Sequence, residues 1–318
     1  MTAPLVACEP TDDVEPIRTQ LDSAIDALEQ TAAHPDDPAF LEELRCAARG
    51  TGLEPPQLPE DLARVRLVLS DPNAGPRDLA RAIRHNPVIA AQFIGLANSA
   101  FFAGRHRIEH IDEAVVRVGM KKAAAWVTAI IAKASLFMSV GYRTQAREVF
   151  RHSLATAINA QLVADTLLPS ASAEAFTVGL LHDFGRVFVY AIAGGQYAEA
   201  SKDRGAPSAS MLMRAADELH AGFSGLIART WAFDHRVVAA ILDHHAPLKP
   251  LDEDEPDELR LTRILQAADE LGHRMIDNIS DPELSNPTTI DLVGTFDTID
   301  ELLDDAREAY EAFESALN

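Results

Sequence analysis

From Ile17 to Leu317 the apolar residues recur at intervals of three and four, and no run alternates with period two between hairpin turns, so the expected fold is all-α. Ile17, Leu21, Ile25 and Leu28 form one stripe, and Leu41 and Leu44 begin a second. Asp71-Pro72-Asn73-Ala74-Gly75-Pro76 stops one helix and starts the next. Asn86-Pro87 supplies a cap and a first-turn proline to a helix through Ile89, Phe93 and Leu96. Alanine-rich stretches from Lys121 to Val140 and from His152 to Leu168 add helix propensity to pattern. A last helix, Ile299 to Leu317, is acidic and amphipathic enough to pack on the body or against a partner.

The breaker cluster Gly50-Thr51-Gly52-Leu53-Glu54-Pro55-Pro56 marks the main boundary, leaving residues 1–52 as an acidic helical extension. An acidic loop, Leu251 to Glu258, precedes a helix through Leu261, Leu265 and Ala268, and polar and breaker content rises from Ile276 to Thr295. Residues 276–318 therefore read as a C-terminal helical tail. With 318 residues, 47% of them hydrophobic, the chain can bury one large core.

Charge narrows the partners. The 28 Lys and Arg against 49 Asp and Glu give −21, which repels nucleic-acid backbones and anionic lipid, so neither nucleic acid nor a membrane is expected as a partner. The apolar stretch Ala123 to Ala132 is too short to span a bilayer, and no basic-then-apolar leader opens the chain. Cys8 and Cys46 form no CxxC pair, which argues against a disulfide framework and fits a reducing cytoplasm.

The chemistry lies between Glu148 and Asp269. His182 and Asp183 are adjacent in Gly179-Leu180-Leu181-His182-Asp183-Phe184-Gly185-Arg186, where the preceding apolar residues place the pair at a buried helix end or turn. An imidazole beside a carboxylate can bind one ion from both sides or bridge two. Such donors suit zinc, manganese or iron, and a carboxylate-rich set accepts magnesium. Glu148 and His152 precede the pair, four apart on one helix face; His220, His244, His245 and Asp269 follow it. Each interval is about one helical hairpin, so successive helices could each aim a ligand at a common centre.

Taken singly, each residue has an ordinary structural role. His220 can be a satisfied core histidine, and His244-His245 before Pro247 can close a helix on its C-terminal dipole. Asp269 can pair with Arg263 or Arg274, and Glu148 with Arg151 or His152. The ordered set is what carries weight.

That set, a histidine (His152), then His182-Asp183, then a distant aspartate (Asp269), resembles the HD superfamily of metal-dependent phosphohydrolases. Glu148, His220, His244 and His245 resemble the fuller metal set of its HD-GYP branch, which cleaves cyclic dinucleotides. Upstream, Leu58-Pro59-Glu60-Asp61-Leu62, Asn86-Pro87-Val88-Ile89-Ala90, Leu96-Ala97-Asn98-Ser99-Ala100, Ile111-Asp112-Glu113-Ala114-Val115 and Val118-Gly119 look like the first half of an HDOD domain. Trp231 and Ile241-Leu242-Asp243-His244-His245-Ala246-Pro247 continue the likeness.

The resemblance covers residues 53–275 and implies an HD-like bundle (141–275) behind an N-terminal helical lobe (53–140), with Asn98 a buried amide serving backbone groups. HDOD domains are regulatory outputs of bacterial signalling proteins without demonstrated hydrolase activity. The resemblance therefore implies a signalling module acting through a protein partner or a nucleotide ligand. The alternative is a metal-dependent phosphodiesterase, in which ions held by this set activate water against phosphorus, Asp183 bridges them or helps orient the hydroxide, and Arg186 steadies substrate oxygens. Two departures weigh against the HD-GYP chemistry: Ala246-Pro247-Leu248-Lys249-Pro250 follows His245 where that branch has Gly-Tyr-Pro, and Arg186 stands where it often has lysine.

Overall fold

The computed structural model describes residues 14–317 except 52, 103, 105, 138–141, 196–204, 248–255 and 278–298; Cys8, most of the acidic loop from Leu251 and most of the 276–295 stretch lie outside it. All regular structure among the described residues is helical. In chain order the α-helices are α1 (Glu15–Glu29), α2 (Asp37–Arg49), α3 (Glu60–Ser70), α4 (Pro76–Arg84), α5 (Pro87–Ala97), α6 (Ile111–Val118), α7 (Met120–Ala132), α8 (Arg143–Leu167), α9 (Ser172–Leu181), α10 (Phe184–Ala193), α11 (Ala209–Thr230), α12 (His235–Leu242), α13 (Asp257–Asp277) and α14 (Ile299–Leu317).

The punctuation read from sequence is used as expected. Asn86 Oδ1 accepts from the backbone N–H groups of Val88 and Ile89 at 3.1 and 3.3 Å, capping α5 ahead of Pro87. At the start of α4, Asp78 Oδ2 accepts from Gly75 N–H at 3.0 Å, next to Pro76. Asn98 ends α5 and accepts from Ile108 N–H at 2.7 Å while its amide donates to Ile108 O and Ile94 O, at 2.8 and 3.0 Å. One side chain thus ties a loop to a helix end. Asn98→Ala should lower unfolding free energy by about 2 kcal/mol, since it strands the Ile108 backbone groups; urea denaturation checks this, and an unchanged midpoint would show that solvent replaces the amide.

α3 to α6 pack on one another, and α7 joins them to α9. α8 is the spine of the remaining bundle, packed against α9 and α13, with α10, α11 and α12 completing it. α8 is covered on several sides, so even Ser153, Thr156, Asn159 and Gln161 are buried. Its neighbours approach closely because they offer glycine: a Cβ on Gly179 would lie 2.7 Å from Ala157 Cα, and one on Gly272 would lie 2.6 Å from Thr156 Oγ1.

The extension and the tail both belong to this body. α1 buries Ile17, Leu21, Ile25 and Leu28 and packs on α11, and Asp37 of α2 accepts from Ser208 N–H at 2.8 Å ahead of α11. α14 packs on α8 and α5, placing Phe313 against Trp126 and Phe150. The amphipathic face of the last helix is therefore used within the chain.

A longer apolar run than Ala123–Ala132 exists. Pro169–Ala193 meets the length and composition of a membrane span, but 83% of its most apolar window is buried inside the protein, and the His182-Asp183 turn splits it into α9 and α10. It forms part of the core.

Candidate metal centre

His182 follows the last residue of α9 and Asp183 precedes the first of α10, so a single buried turn carries both side chains inward. His152 enters from α8, His220 from α11, His244 and His245 from the end of α12, and Asp269 from α13. Gly185 lets α10 reach α11: its N–H donates to Ser224 Oγ at 2.7 Å, and a Cβ there would lie 2.1 Å from His220 O.

Three imidazoles are held in one tautomer. Nδ1 of His182 lies 2.8 Å from Gly179 O, Nδ1 of His220 lies 2.8 Å from Asp217 O, and Nδ1 of His244 lies 2.6 Å from Ile241 O. A carbonyl only accepts, so each Nδ1 carries the proton and each Nε2 is turned into the site. Such backbone anchoring is what orients histidines on a metal.

Two donor groups result. In the first, His152 Nε2 is 2.8 Å from Asp269 Oδ1, and His182 Nε2 is 3.4 Å from the same oxygen and 3.6 Å from Asp183 Oδ2. In the second, His220 Nε2 is 3.3 Å from His244 Nε2 and 2.9 Å from His245 Nε2, and Asp183 Oδ1 lies 3.3 Å away. The lone pairs of His220 and His244 Nε2 repel unless something positive lies between them, whereas His245 can instead donate an Nε2 proton to His220. Two nitrogens each about 2.0–2.1 Å from a common ion are about 3.0 Å apart at a right angle and about 3.4 Å apart at a tetrahedral one. The donors fit divalent cations.

Asp183 divides its oxygens between the groups: Oδ2 faces His152 and His182, and Oδ1 faces His220. Arg186 secures it, with Nε 3.2 Å from Oδ1 and a second nitrogen on Asp217. Arg186 thus positions a carboxylate here, a use not foreseen in its reading as a substrate clamp.

Glu148 falls in none of the donor groups and lies exposed on α8, its charge acting on Arg151 and Tyr190. The four-residue spacing that aligns it with His152 leaves it one turn away, at the rim. Asp269 pairs with His152 and His182, whereas Arg274 pairs with Glu270. His273 is the residue the sequence reading missed: exposed, four residues after Asp269, it stacks on His152 with ring centroids 4.2 Å apart and forms a third donor group with His152 and Asp269. The Asp-x-x-x-His spacing was the available signal.

Electrostatics separates the histidines. Burial opposes charge on His182, but the Asp183 and Asp269 carboxylates outweigh it and raise its pKa to about 9. Burial lowers His220 to about 4 and His244 to about 3, and it also lowers His245. Burial disfavours the charged carboxylates too, yet His182 and Arg186 hold Asp183 below the usual range, and hydrogen bonds from His152 and His182 do the same for Asp269.

A cation binding at His182 must therefore displace a proton. Metal affinity should rise about tenfold per pH unit between about 7 and 9, measured by competition titration, and a flat profile would refute a protonated His182. For the metal-free protein the signs oppose one another. The stability contributed by His182 is full below the unfolded value of 6.5 and is lost as pH rises through about 9. His220 and His244 become costly as pH falls below 6.5 toward their depressed values.

A model of the HDOD domain matches residues 56–247. The chain belongs to the HDOD family. The match ends before Asp269 and begins after α2, so the structure supplies those parts of the site and its support. An HDOD domain protein of unknown function from Geobacter sulfurreducens superposes with a TM-score of 0.65 at 19% identity, covering 95% of this chain and 99% of that one. A proposed metal-dependent phosphohydrolase from Shewanella amazonensis SB2B gives 0.59 at 18%, covering 89% and 99%. A proposed signal transduction protein from Marinobacter aquaeolei VT8 gives 0.58 at 18%, covering 96% and 66%. At these identities the likeness is one of fold. An uncharacterized protein of Treponema pallidum (strain Nichols) is 25% identical over 194 residues, which are 60% of this chain and only 37% of that protein.

Proposed function

We propose that this HDOD protein is a bacterial, cytoplasmic signalling protein whose HD-like lobe hydrolyses a small phosphoester at a centre of two divalent cations. The observation that carries the reading is the division of Asp183: one carboxylate presents its two oxygens to two separate sets of inward-turned Nε2 atoms. On this reading His152, His182, Asp183 and Asp269 hold one ion, and Asp183, His220, His244 and His245 hold the other. Iron, manganese and zinc suit the histidine-rich second set best, and magnesium suits it least. The cations supply Lewis acidity toward a phosphoryl oxygen and toward water. The protein's own part is to hold the donors. Arg186 keeps Asp183 turned between the two sets, and the backbone carbonyls at Gly179, Asp217 and Ile241 keep three imidazoles from rotating.

His245 and His273 are the exposed members of the donor groups, and on this reading substrate reaches the centre past them. With −21 on the chain, a small nucleotide is a better substrate than a nucleic-acid strand. We assign the downstream partner to the protein class on the family's signalling role.

A second reading, a regulatory output with a structural metal and no turnover, is favoured by Ala246-Pro247 after His245. Elemental analysis of chain purified without chelator or histidine tag, paired with hydrolysis of bis-p-nitrophenyl phosphate and a cyclic dinucleotide, separates the two. About two equivalents of metal with turnover is the expected result; metal without turnover supports the second reading, and no metal overturns both.

A further inference from the structure

A cavity of about 190 Å³ lies between α3, α7, α9 and α12. Leu62, Ala125, Phe233 and Val237 give it mainly apolar walls, and it is smaller than the roughly 300 Å³ at which sites for drug-sized ligands begin. Its charge is unusual for so acidic a chain. Arg66 and Lys121 line it, and neither has a carboxylate partner among the described residues. Arg66 instead donates to Trp231 O and Ala232 O, the latter at 2.7 Å, and lies over the Phe233 ring at 4.1 Å. Glu174, the acid in the lining, pairs through Oε1 with Arg236, and its buried Oε2 has no hydrogen-bond partner among the described residues. Arg66 and Lys121 thus bring positive charge to an apolar wall with no carboxylate paired to either among the described residues.

Its walls also lead directly to the metal ligands. Glu174 and Thr177 stand on α9, which ends at His182; Thr177 is about 7.5 Å of helix rise from it. Val237 stands on α12, which runs into His244, about 10 Å of rise away. The Arg236–Glu174 pair joins these two helices. A ligand that shifts α9 against α12 shifts the two donor groups against each other.

We propose that this cavity is an effector site for a small amphipathic carboxylate, its apolar body among Leu62, Ala125 and Phe233 and its charge at Lys121, and that occupancy changes metal affinity through α9 and α12. A singly charged group fits because Lys121 is the cation left to receive it, the Arg66 guanidinium being turned to carbonyls and a ring. The coupling clause rests on the metal centre proposed above; the binding clause does not.

The test uses the full chain, with hexanoate as probe and hexanol and inorganic phosphate as controls, followed by calorimetry. Hexanoate should bind saturably at one per chain, and hexanol and phosphate at least about tenfold more weakly. Lys121→Ala, on an exposed rim residue, should weaken hexanoate about tenfold, and Ala125→Leu should block it by filling the cavity. No saturation, hexanol binding as tightly as hexanoate, or an unaffected Lys121→Ala overturns the site. Saturating hexanoate should also change Mn²⁺ affinity at least about threefold, with the same factor in reverse. Unchanged Mn²⁺ affinity with hexanoate bound overturns the coupling, whereas a chain that binds hexanoate but no metal fails the metal-centre reading alone.

Discussion

On the two-cation hydrolase reading proposed above, Asp183→Asn should reduce metal content from about two ions per chain to less than one and turnover by about a thousandfold, the equivalent of several kcal/mol of lost charge stabilisation. The expected size follows from the position of this carboxylate. Oδ1 lies 3.3 Å from His220 Nε2 and Oδ2 lies 3.6 Å from His182 Nε2, so one side chain serves both donor groups. An asparagine has the same shape but offers one acceptor oxygen, and its NH₂ points a donor where a cation would sit. It also leaves Arg186 with Asp217 as its remaining carboxylate. Elemental analysis and steady-state rates on bis-p-nitrophenyl phosphate, with circular dichroism to confirm the fold, measure the effect. Two bound metals with turnover within about tenfold of the parent would show that Asp183 bridges nothing.

Gly185→Ala should destabilise the packing of α10 on α11 by about 3 kcal/mol or more, the upper end of what overpacking costs. The added Cβ would lie 2.1 Å from His220 O, 2.8 Å from its C and 2.9 Å from its Cα. These are backbone atoms of a long helix, so relief requires α10 to move away from α11. That movement would stretch the 2.7 Å bond from Gly185 N–H to Ser224 Oγ and carry His220 out of register with His244. Differential scanning calorimetry should show a melting temperature about 6–12 °C lower. Gly95→Ala is the matched control: its Cβ would meet Ala316 Cβ at an ordinary 3.7 Å, and within α5 alanine favours helix over glycine by up to about 1 kcal/mol. A Gly185→Ala melting temperature no lower than that of Gly95→Ala would show that the α10–α11 approach relaxes without cost.

Much of this molecule could be read along the chain. The stripe Ile17, Leu21, Ile25, Leu28 became the buried face of α1, the Asn86-Pro87 pair capped α5, and His182-Asp183 sits at a buried junction of two helices, as the apolar run before it implied. These features depend on neighbours within four residues, and such contacts are written directly into spacing. Seven of the eight candidate ligands nominated from the sequence, all but Glu148, fall in donor groups that could hold a metal, and the steps between the helices that carry them are about one helical hairpin each.

Their grouping could not be read that way. Glu148 and His152 share a spacing with Asp269 and His273, yet Glu148 stays at the rim while His273 stacks on His152. The assignment of Asp183 Oδ1 to one group and Oδ2 to the other depends on how α8, α9, α11 and α13 converge. That convergence is set by contacts between distant residues: Gly179 against Ala157, Gly185 against His220, Gly272 against Thr156. The same holds for the extension and the tail, whose stripes announced that they would bury something without saying that α1 would choose α11 or that α14 would choose α8 and α5. A helical period records which face is apolar, because that is a local property. Which two faces meet depends on shape and close approach over the whole chain, and those emerge only when the helices pack.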